Sequence, residues 1–116
     1  MIDCEVDTHV LADETRVVSV AGELDMYTAP PFKQQIFDAL NGHARVVVDL
    51  SACEFLDSTA LGILIAANKR LAGLEHRLVL VAADRNLVKV FQITGLDRTF
   101  NIVPTRASAL NGATRV

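Results

Sequence analysis

The sequence lacks the marks of membrane-spanning and nucleic-acid-binding proteins. Apolar residues make up 51% of its 116 positions, but no apolar run approaches the roughly 18 residues that a membrane span needs. The 11 basic and 14 acidic residues are scattered, so no basic stripe exists for a nucleic acid or an anionic membrane. The segment Met1–Glu5 has acidic residues where an export signal carries positive charge. We therefore expect a cytoplasmic protein.

Cysteine and histidine are also sparse, with two and three residues respectively. Cys4 and Cys53 lie far apart without Cys-x-x-Cys spacing, so neither a metal site nor a bound cofactor is predicted. We expect both to be reduced thiols that pack as small hydrophobic residues. The alternative is a redox switch at Cys53, which lies shortly before the segment that carries the functional signal.

Strand-like and helix-like stretches alternate along the chain, which predicts one α/β domain over residues 1–116. Residues 4–10 alternate between apolar and polar side chains, and with residues 16–21 they predict an antiparallel hairpin. Three later strands are predicted at 45–50, 78–83 and 100–103. Helices are predicted at about 28–40, 58–71, 84–94 and, weakly, 105–110, followed by a frayed tail. The fold class is therefore a mixed, mostly parallel sheet with an N-terminal antiparallel hairpin and about four helices.

The informative segment follows the apolar strand around Val46–Leu50. We expect Ser51–Leu56 to form a loop and a helix to begin at Asp57-Ser58-Thr59. The first N–H groups of a helix lack intrahelical acceptors, and the helix dipole adds positive charge there. A phosphate on Ser58 would bring about −1.5 to −2 charges to that end. Asp-Ser-Thr is equally an ordinary helix start, because all three residues cap well; the residues alone leave both interpretations open.

The helix after Ser58 carries apolar residues on two faces. One face is assigned to the core and contains Leu61, Leu64, Ile65 and Asn68. The other is small and apolar, and we interpret it as a partner-binding surface formed by Phe55, Ala60, Ile63 and Ala67. The alternative is that this second face packs under another element of the same domain.

Three segments together resemble a known family. They are Gly22-Glu23-Leu24-Asp25, the strand Val46–Leu50, and Phe55-Leu56-Asp57-Ser58-Thr59-Ala60-Leu61-Gly62. In this combination and spacing they look like the STAS domain of bacterial anti-sigma factor antagonists. The resemblance covers nearly the whole chain, and its most specific part is the Asp-Ser-Thr-x-Leu-Gly motif.

The resemblance implies a partner-switching cycle. The unphosphorylated antagonist binds an anti-sigma factor, which is a serine kinase of the histidine-kinase-like ATPase fold, and thereby frees the sigma factor. Phosphorylation of the motif serine, here Ser58, ends binding, and a metal-dependent serine phosphatase resets the protein. Asp25 maps onto the family's loop aspartate near the phosphorylation site, while Asp57 and Thr59 flank the acceptor. The family often has Gly where this chain has Ala60, which adds a methyl group where the kinase is expected to approach.

Other functional classes receive less support from the sequence. Ser58 lies in no Gly-x-Ser-x-Gly elbow, no histidine is placed to activate it, and no Gly-rich nucleotide motif is present. Aspartates at loop ends, such as Asp25 and Asp57, are more typical of loop and helix caps than of a catalytic pair. We therefore predict no enzyme activity and no catalytic residue. The runner-up is a STAS subunit of a transporter or stress-sensing complex that binds constitutively. We expect a monomer or weak dimer.

Overall fold

The structure, a computed structural model, describes residues 4–41, 45–72 and 78–114. Its strands are β1 (Cys4–Val10), β2 (Arg16–Leu24), β3 (Val46–Leu56), β4 (Val79–Val81) and β5 (Asn101–Val103). Its helices are α1 (Ala29–Leu40), α2 (Ser58–Ala72), α3 (Arg85–Ile93) and α4 (Arg106–Thr114), with one 3-10 turn at Leu96–Arg98. No described helix has the length and apolar character to cross a membrane.

The five strands form one sheet in the order β1-β2-β3-β4-β5. The pair β1 and β2 is antiparallel, and the remaining neighbours are parallel. The predicted fold class is confirmed. Because each parallel strand lies beside the previous one, the connecting helices α1, α2 and α3 all start at the carboxyl ends of strands, which is the edge where α/β proteins place their sites.

Strand β3 is longer than predicted, and the expected loop at Ser51–Leu56 is wrong. Those residues continue the strand and pair with β2 through Ala21 with Ala52 and Leu24 with Leu56. Two register shifts interrupt this pairing, and such bulges insert residues that break the simple alternation of side chains. The loss of alternation is why the sequence pattern resembled a loop.

The main core lies between the sheet and the helices α1, α2 and α3. It includes fully buried side chains from the sheet, such as Val48 and Leu80, and from the helices, such as Phe32, Leu64 and Phe91. A second, smaller cluster lies on the opposite face of the sheet under α4, and consists of Val17, Val47, Val79, Val81 and Ala109. The two faces of the sheet are therefore covered unequally.

The faces of α2 differ from the prediction. Ala60 and Ala67 are fully buried and Ile63 is 9% exposed, so the expected outer face is part of the core. The predicted core residues Leu61 and Ile65 are only half-buried. The described exposed residues of α2 are instead Ser58, Thr59, Gly62, Ala66, Lys69 and Arg70. Both faces are apolar in sequence, so periodicity does not indicate which of them is buried. The small alanines favour the observed arrangement, because they let α2 pack closely on its neighbours.

Local sequence signals explain two helix ends. The Asp84 carboxylate accepts hydrogen bonds from the backbone N–H groups of Asn86 and Leu87 and so caps α3, as predicted. After α3, Gly95 adopts a φ of +77°, a left-handed conformation that glycine tolerates without strain. The half-buried Leu96 then packs against the main core.

An ion pair fastens α4 to the sheet. The Nε and Nη2 of Arg106 donate to Asp49 Oδ2 at 2.9 and 2.7 Å, and Nη2 also donates to Ser19 Oγ at 2.8 Å. The other Asp49 oxygen accepts from the N–H and hydroxyl of Ser51. Burial acts to raise the pKa of Asp49, but the Ser51 hydrogen bonds and Arg106 outweigh it and hold the pKa below its usual 3.8.

Replacing Asp49 with Asn should lower the free energy of unfolding by about 1–3 kcal/mol at neutral pH, because the Arg106 guanidinium loses the negative charge that it pairs with. The depressed pKa means that the carboxylate stabilises the fold above its unfolded pKa and loses this contribution as pH falls through the folded pKa. The stabilities of wild type and Asp49→Asn in urea unfolding should therefore begin to converge as pH falls below about 3.8, and should coincide below the folded pKa. The exposed Asp38→Asn variant is the matched control and should change little; a difference that stays constant down to low pH would contradict the assignment.

Candidate functional site

Asp57 begins α2. Its Oδ1 accepts a hydrogen bond from the N–H of Ala60 at 3.0 Å, and its carbonyl oxygen accepts the first intrahelical bond from Leu61 at 3.1 Å. Asp57 is therefore the N-cap, as the sequence predicted, and Ser58 and Thr59 occupy the first two helical positions. Both are exposed, so the Ser58 hydroxyl is accessible to solvent at the positive end of a 15-residue helix.

The same Asp57 joins α2 to the loop between β2 and α1. Its second carboxylate oxygen, Oδ2, accepts from the N–H of Met26 at 2.9 Å. Its backbone N–H donates to the carbonyl oxygen of Leu24 at 3.0 Å. One residue thus binds two segments that are more than 30 positions apart in sequence, and it places the Met26 loop directly beside Ser58.

Asp25 shapes that loop from within. Its carboxylate accepts from the N–H groups of Tyr27 and Thr28 at 2.9 and 3.0 Å, and its carbonyl oxygen accepts from the N–H of Ala29 at 2.8 Å. Thr28 precedes α1, but its side chain makes no capping bond; its hydroxyl donates to the carbonyl oxygen of Glu23 at 2.8 Å instead. Asp25 therefore holds the loop in the shape that presents Met26 and Tyr27.

Met26 and Tyr27 are exposed, by 61% and 83% respectively. Sequence reasoning missed both residues, although two large side chains between Asp25 and Thr28, in a loop expected at the site, were an available signal. We call the surface formed by Met26, Tyr27, Ser58, Gly62 and Ala66 the switch surface. It combines apolar side chains with the candidate acceptor hydroxyl on one end of the molecule.

Phe55 is 48% exposed, but it lies outside the switch surface. It pairs with Glu23 in the sheet, and paired residues on adjacent strands point to the same side. The next pair, Leu24 and Leu56, points into the main core beneath the helices. Phe55 therefore points to the face of the sheet opposite α2.

The charge around the switch surface is negative. Two carboxylates, those of Asp25 and Asp57, directly follow the last residues of β2 and β3 and lie at the site. No lysine or arginine occurs between residues 46 and 68. The Asp57 carboxylate accepts hydrogen bonds from the N–H groups of Ala60 and Met26 rather than from the neighbouring Ser58 hydroxyl.

The two cysteines lie within the sheet on either side of Gly22. Cys4 on β1 pairs with Gly22 from one side of β2, and Cys53 on β3 pairs with it from the other side. Cys53 is 2% exposed, and burial raises the pKa of both thiols. A buried, protonated thiol is a poor nucleophile, so these features favour a packing role for Cys53 over a redox switch.

Over residues 4–41, 45–72 and 78–114, no three His, Cys, Asp or Glu side chains approach one another closely enough to hold a metal ion.

Known proteins resemble this chain over most of its length. Residues 8–104 match the family described as "Mlab, STAS domain". The anti-sigma-B factor antagonist of Listeria monocytogenes is 36% identical over 87 residues, which cover 73% of this chain and 75% of that protein.

Solved structures show the same fold. The crystal structure of an anti-sigma factor antagonist from Mycobacterium paratuberculosis has a TM-score of 0.89 and 36% identity, with 97% of this chain and 95% of that chain covered. The phosphorylated form of the Bacillus cell fate determinant SpoIIAA has a TM-score of 0.72 at 23% identity, with 92% and 97% covered. From the family match and these relatives, we conclude that the chain belongs to the STAS domain family.

Proposed function

We propose that this chain is a cytoplasmic anti-sigma factor antagonist that binds its anti-sigma factor through the switch surface and is released by phosphorylation of Ser58. The observation that carries the proposal is the exposed Ser58 hydroxyl at the first turn of α2, beside the exposed Met26 and Tyr27. The names of relatives at 36% identity support the partner class. That a protein of this fold has a phosphorylated form supports the chemistry.

The proposed partner is an anti-sigma factor that is also a serine kinase, and a metal-dependent serine phosphatase restores the hydroxyl. The chain is a binding partner and substrate in this cycle, not a catalyst. Kinase contact requires an accessible acceptor, which the exposed Ser58 provides. Ala60, Ile63 and Ala67 are buried and cannot form the contact that the sequence predicted; the exposed side of α2 contacts the partner instead.

The physical basis of release is the cost of burying a phosphate. In the free protein, the helix dipole favours an anion at the first turn by about 0.3–1 kcal/mol, and the exposed position leaves the phosphate hydrated. The neighbouring Asp57 carboxylate opposes it, and no cation lies between residues 46 and 68 to neutralise it. Against a partner without a matching cation, desolvation of the phosphate costs several kcal/mol. A loss of about 4 kcal/mol is roughly a thousandfold in affinity.

Incubation with the candidate anti-sigma kinase and ATP should add one phosphate to the wild-type chain and none to Ser58→Ala, measured by intact mass. Ser58→Ala should still bind the kinase, whereas Ser58→Asp should bind at least tenfold more weakly. Absence of mass gain in a protein that still binds would favour the runner-up, a constitutive STAS subunit. Phosphate transfer to Ser58→Ala would place the acceptor elsewhere.

The switch surface should be sensitive to single substitutions. Tyr27→Ala removes an exposed aromatic contact and Ala66→Arg adds a bulky charge to the outer side of α2, so each should weaken anti-sigma binding at least tenfold, about 1.4 kcal/mol. Ile93→Ala on α3 is the matched control, because Ile93 is also exposed, by 75%, but lies on another element. Calorimetry that finds Ile93→Ala as damaging as Tyr27→Ala would argue against this location.

Asp57 should matter for both stability and binding. Asp57→Ala removes the cap of α2 and the acceptor for the Met26 N–H, so we expect unfolding to become easier by about 1–2 kcal/mol. Amide exchange at Met26 should accelerate, and anti-sigma binding should weaken although the Ser58 hydroxyl remains. Asp38→Ala, which removes an exposed carboxylate elsewhere in the chain, should leave all three measurements near wild type. Unchanged Met26 exchange in Asp57→Ala would show that the bridge does not hold the loop.

A further inference from the structure

In the part of the chain that the structure describes, the face of the sheet opposite α1, α2 and α3 is only partly covered. Helix α4 packs against β3, β4 and β5 on this face. Towards β1 and the far end of β3, three residues point to the same face and are exposed: Ala21, Ala52 and Phe55. Their side follows from the register, since Ala21 pairs with Ala52, and Phe55 pairs with Glu23. We call these three residues the bare strip.

The composition of the bare strip is unusual for a solvated sheet face. A sheet face that meets only water normally carries polar side chains at alternate positions. Here the central positions on β2 and β3 are alanines, and an aromatic ring follows at Phe55. Two adjacent alanines leave a shallow depression in the sheet surface, which lets another backbone approach closely. A half-exposed aromatic ring beside such a depression is a common anchor of protein interfaces.

Three exposed carboxylates border the bare strip. Glu5 pairs with Ala21, Asp7 pairs with Ser19, and both carboxylates are exposed on β1. Glu23 is exposed beside Phe55. Paired and diagonal positions on adjacent strands are close enough for their side chains to contact one ligand.

The strands offer this border no cation of their own. Within residues 4–10, 16–24 and 46–56, the sole lysine or arginine is Arg16. Its Nη1 donates to the carbonyl oxygens of Asp38 and Ala39 at the end of α1, on the other side of the sheet. Arg106 of α4 reaches the bare face but is paired with Asp49. Within the described strands, Glu5 and Glu23 therefore have no lysine or arginine beside them, whereas Arg106 lies next to Ser19, the residue that pairs with Asp7.

We propose that the bare strip is a second docking surface, distinct from the switch surface, and that its occupant is an amphipathic helix of a partner protein. That helix carries small apolar residues toward Ala21, Ala52 and Phe55, and lysines or arginines toward Glu5, Asp7 and Glu23. Charge complementarity selects a basic partner. A helix docked here lies on the same face of the sheet as α4. It covers the bare strip without rearrangement of the core.

The test uses the full 15N-labelled chain and a synthetic amphipathic helix of about 18 residues, five turns, built from Ala, Leu and Lys. A counterpart with every Lys replaced by Glu is the control. We expect the Lys peptide to shift the amide signals of Ala21, Glu23 and Ala52, with weaker binding as salt screens the charges. The Glu peptide should cause no shifts there.

Two variants make the test specific. The double variant Glu5→Lys, Glu23→Lys should bind the Lys peptide at least tenfold more weakly and should gain binding to the Glu peptide. The single variant Ala52→Arg should lose the Lys peptide through steric block, and circular dichroism checks that both variants fold. Ala66→Arg, which alters the switch surface, should retain peptide binding, so failure of this proposal is separable from failure of the anti-sigma proposal.

Several results overturn the proposal. They are equal binding of both peptides, shifts confined to α2, no shifts at all, or unchanged binding by the double variant. Shifts at Ala21 and Ala52 that grow with protein concentration alone, together with dimer formation in sedimentation, would assign the bare strip to a second copy of this chain and would also overturn it.

Discussion

The candidate site depends on one carboxylate whose two oxygens serve different segments. Asp57 Oδ1 caps α2 through Ala60, and Oδ2 accepts from Met26 in the preceding loop. A hydrogen bond from each side fixes the loop and the helix start relative to each other, so Ser58 and Tyr27 share one surface. With a neutral residue that cannot accept both bonds, the Ser58 hydroxyl would remain, but Met26 and Tyr27 would lose their fixed position beside it.

The length of β3 determines where this carboxylate lies. The strand pairs with β4 only at Val47–Asp49, but continues beside β2 as far as Leu56. This extension carries the start of α2 beyond the part of β3 that pairs with β4. The same extension exposes Ala52 and Phe55 on the opposite face, where α4 does not reach far enough to cover them.

The Asp49 carboxylate has a cation partner, whereas the carboxylates near Ser58 have none in their own segment of the chain. The Asp49 carboxylate is buried and paired with Arg106, and its role is to hold α4 over the second apolar cluster. The carboxylates near Ser58 have no such cation among residues 46–68. A charge added at Ser58 is therefore left to solvent or to a partner, which is the condition under which one phosphate changes an affinity by a large factor.

Local chemistry in the sequence was sufficient for the fold class, the Asp84 and Asp57 caps and the Asp-Ser-Thr start of α2, because each depends on residues within one turn or on a simple period. Three features needed the tertiary structure. The bulges hid the extension of β3, since inserted residues break the alternation. The sequence pattern could not identify the buried side of α2, because both sides are apolar. Packing against the sheet and α1 places Ala60, Ile63 and Ala67 inside. Met26 lies near Ser58 because two hydrogen bonds join distant segments, one from the Met26 N–H to Asp57 and one from the Asp57 N–H to Leu24, and no local pattern encodes them.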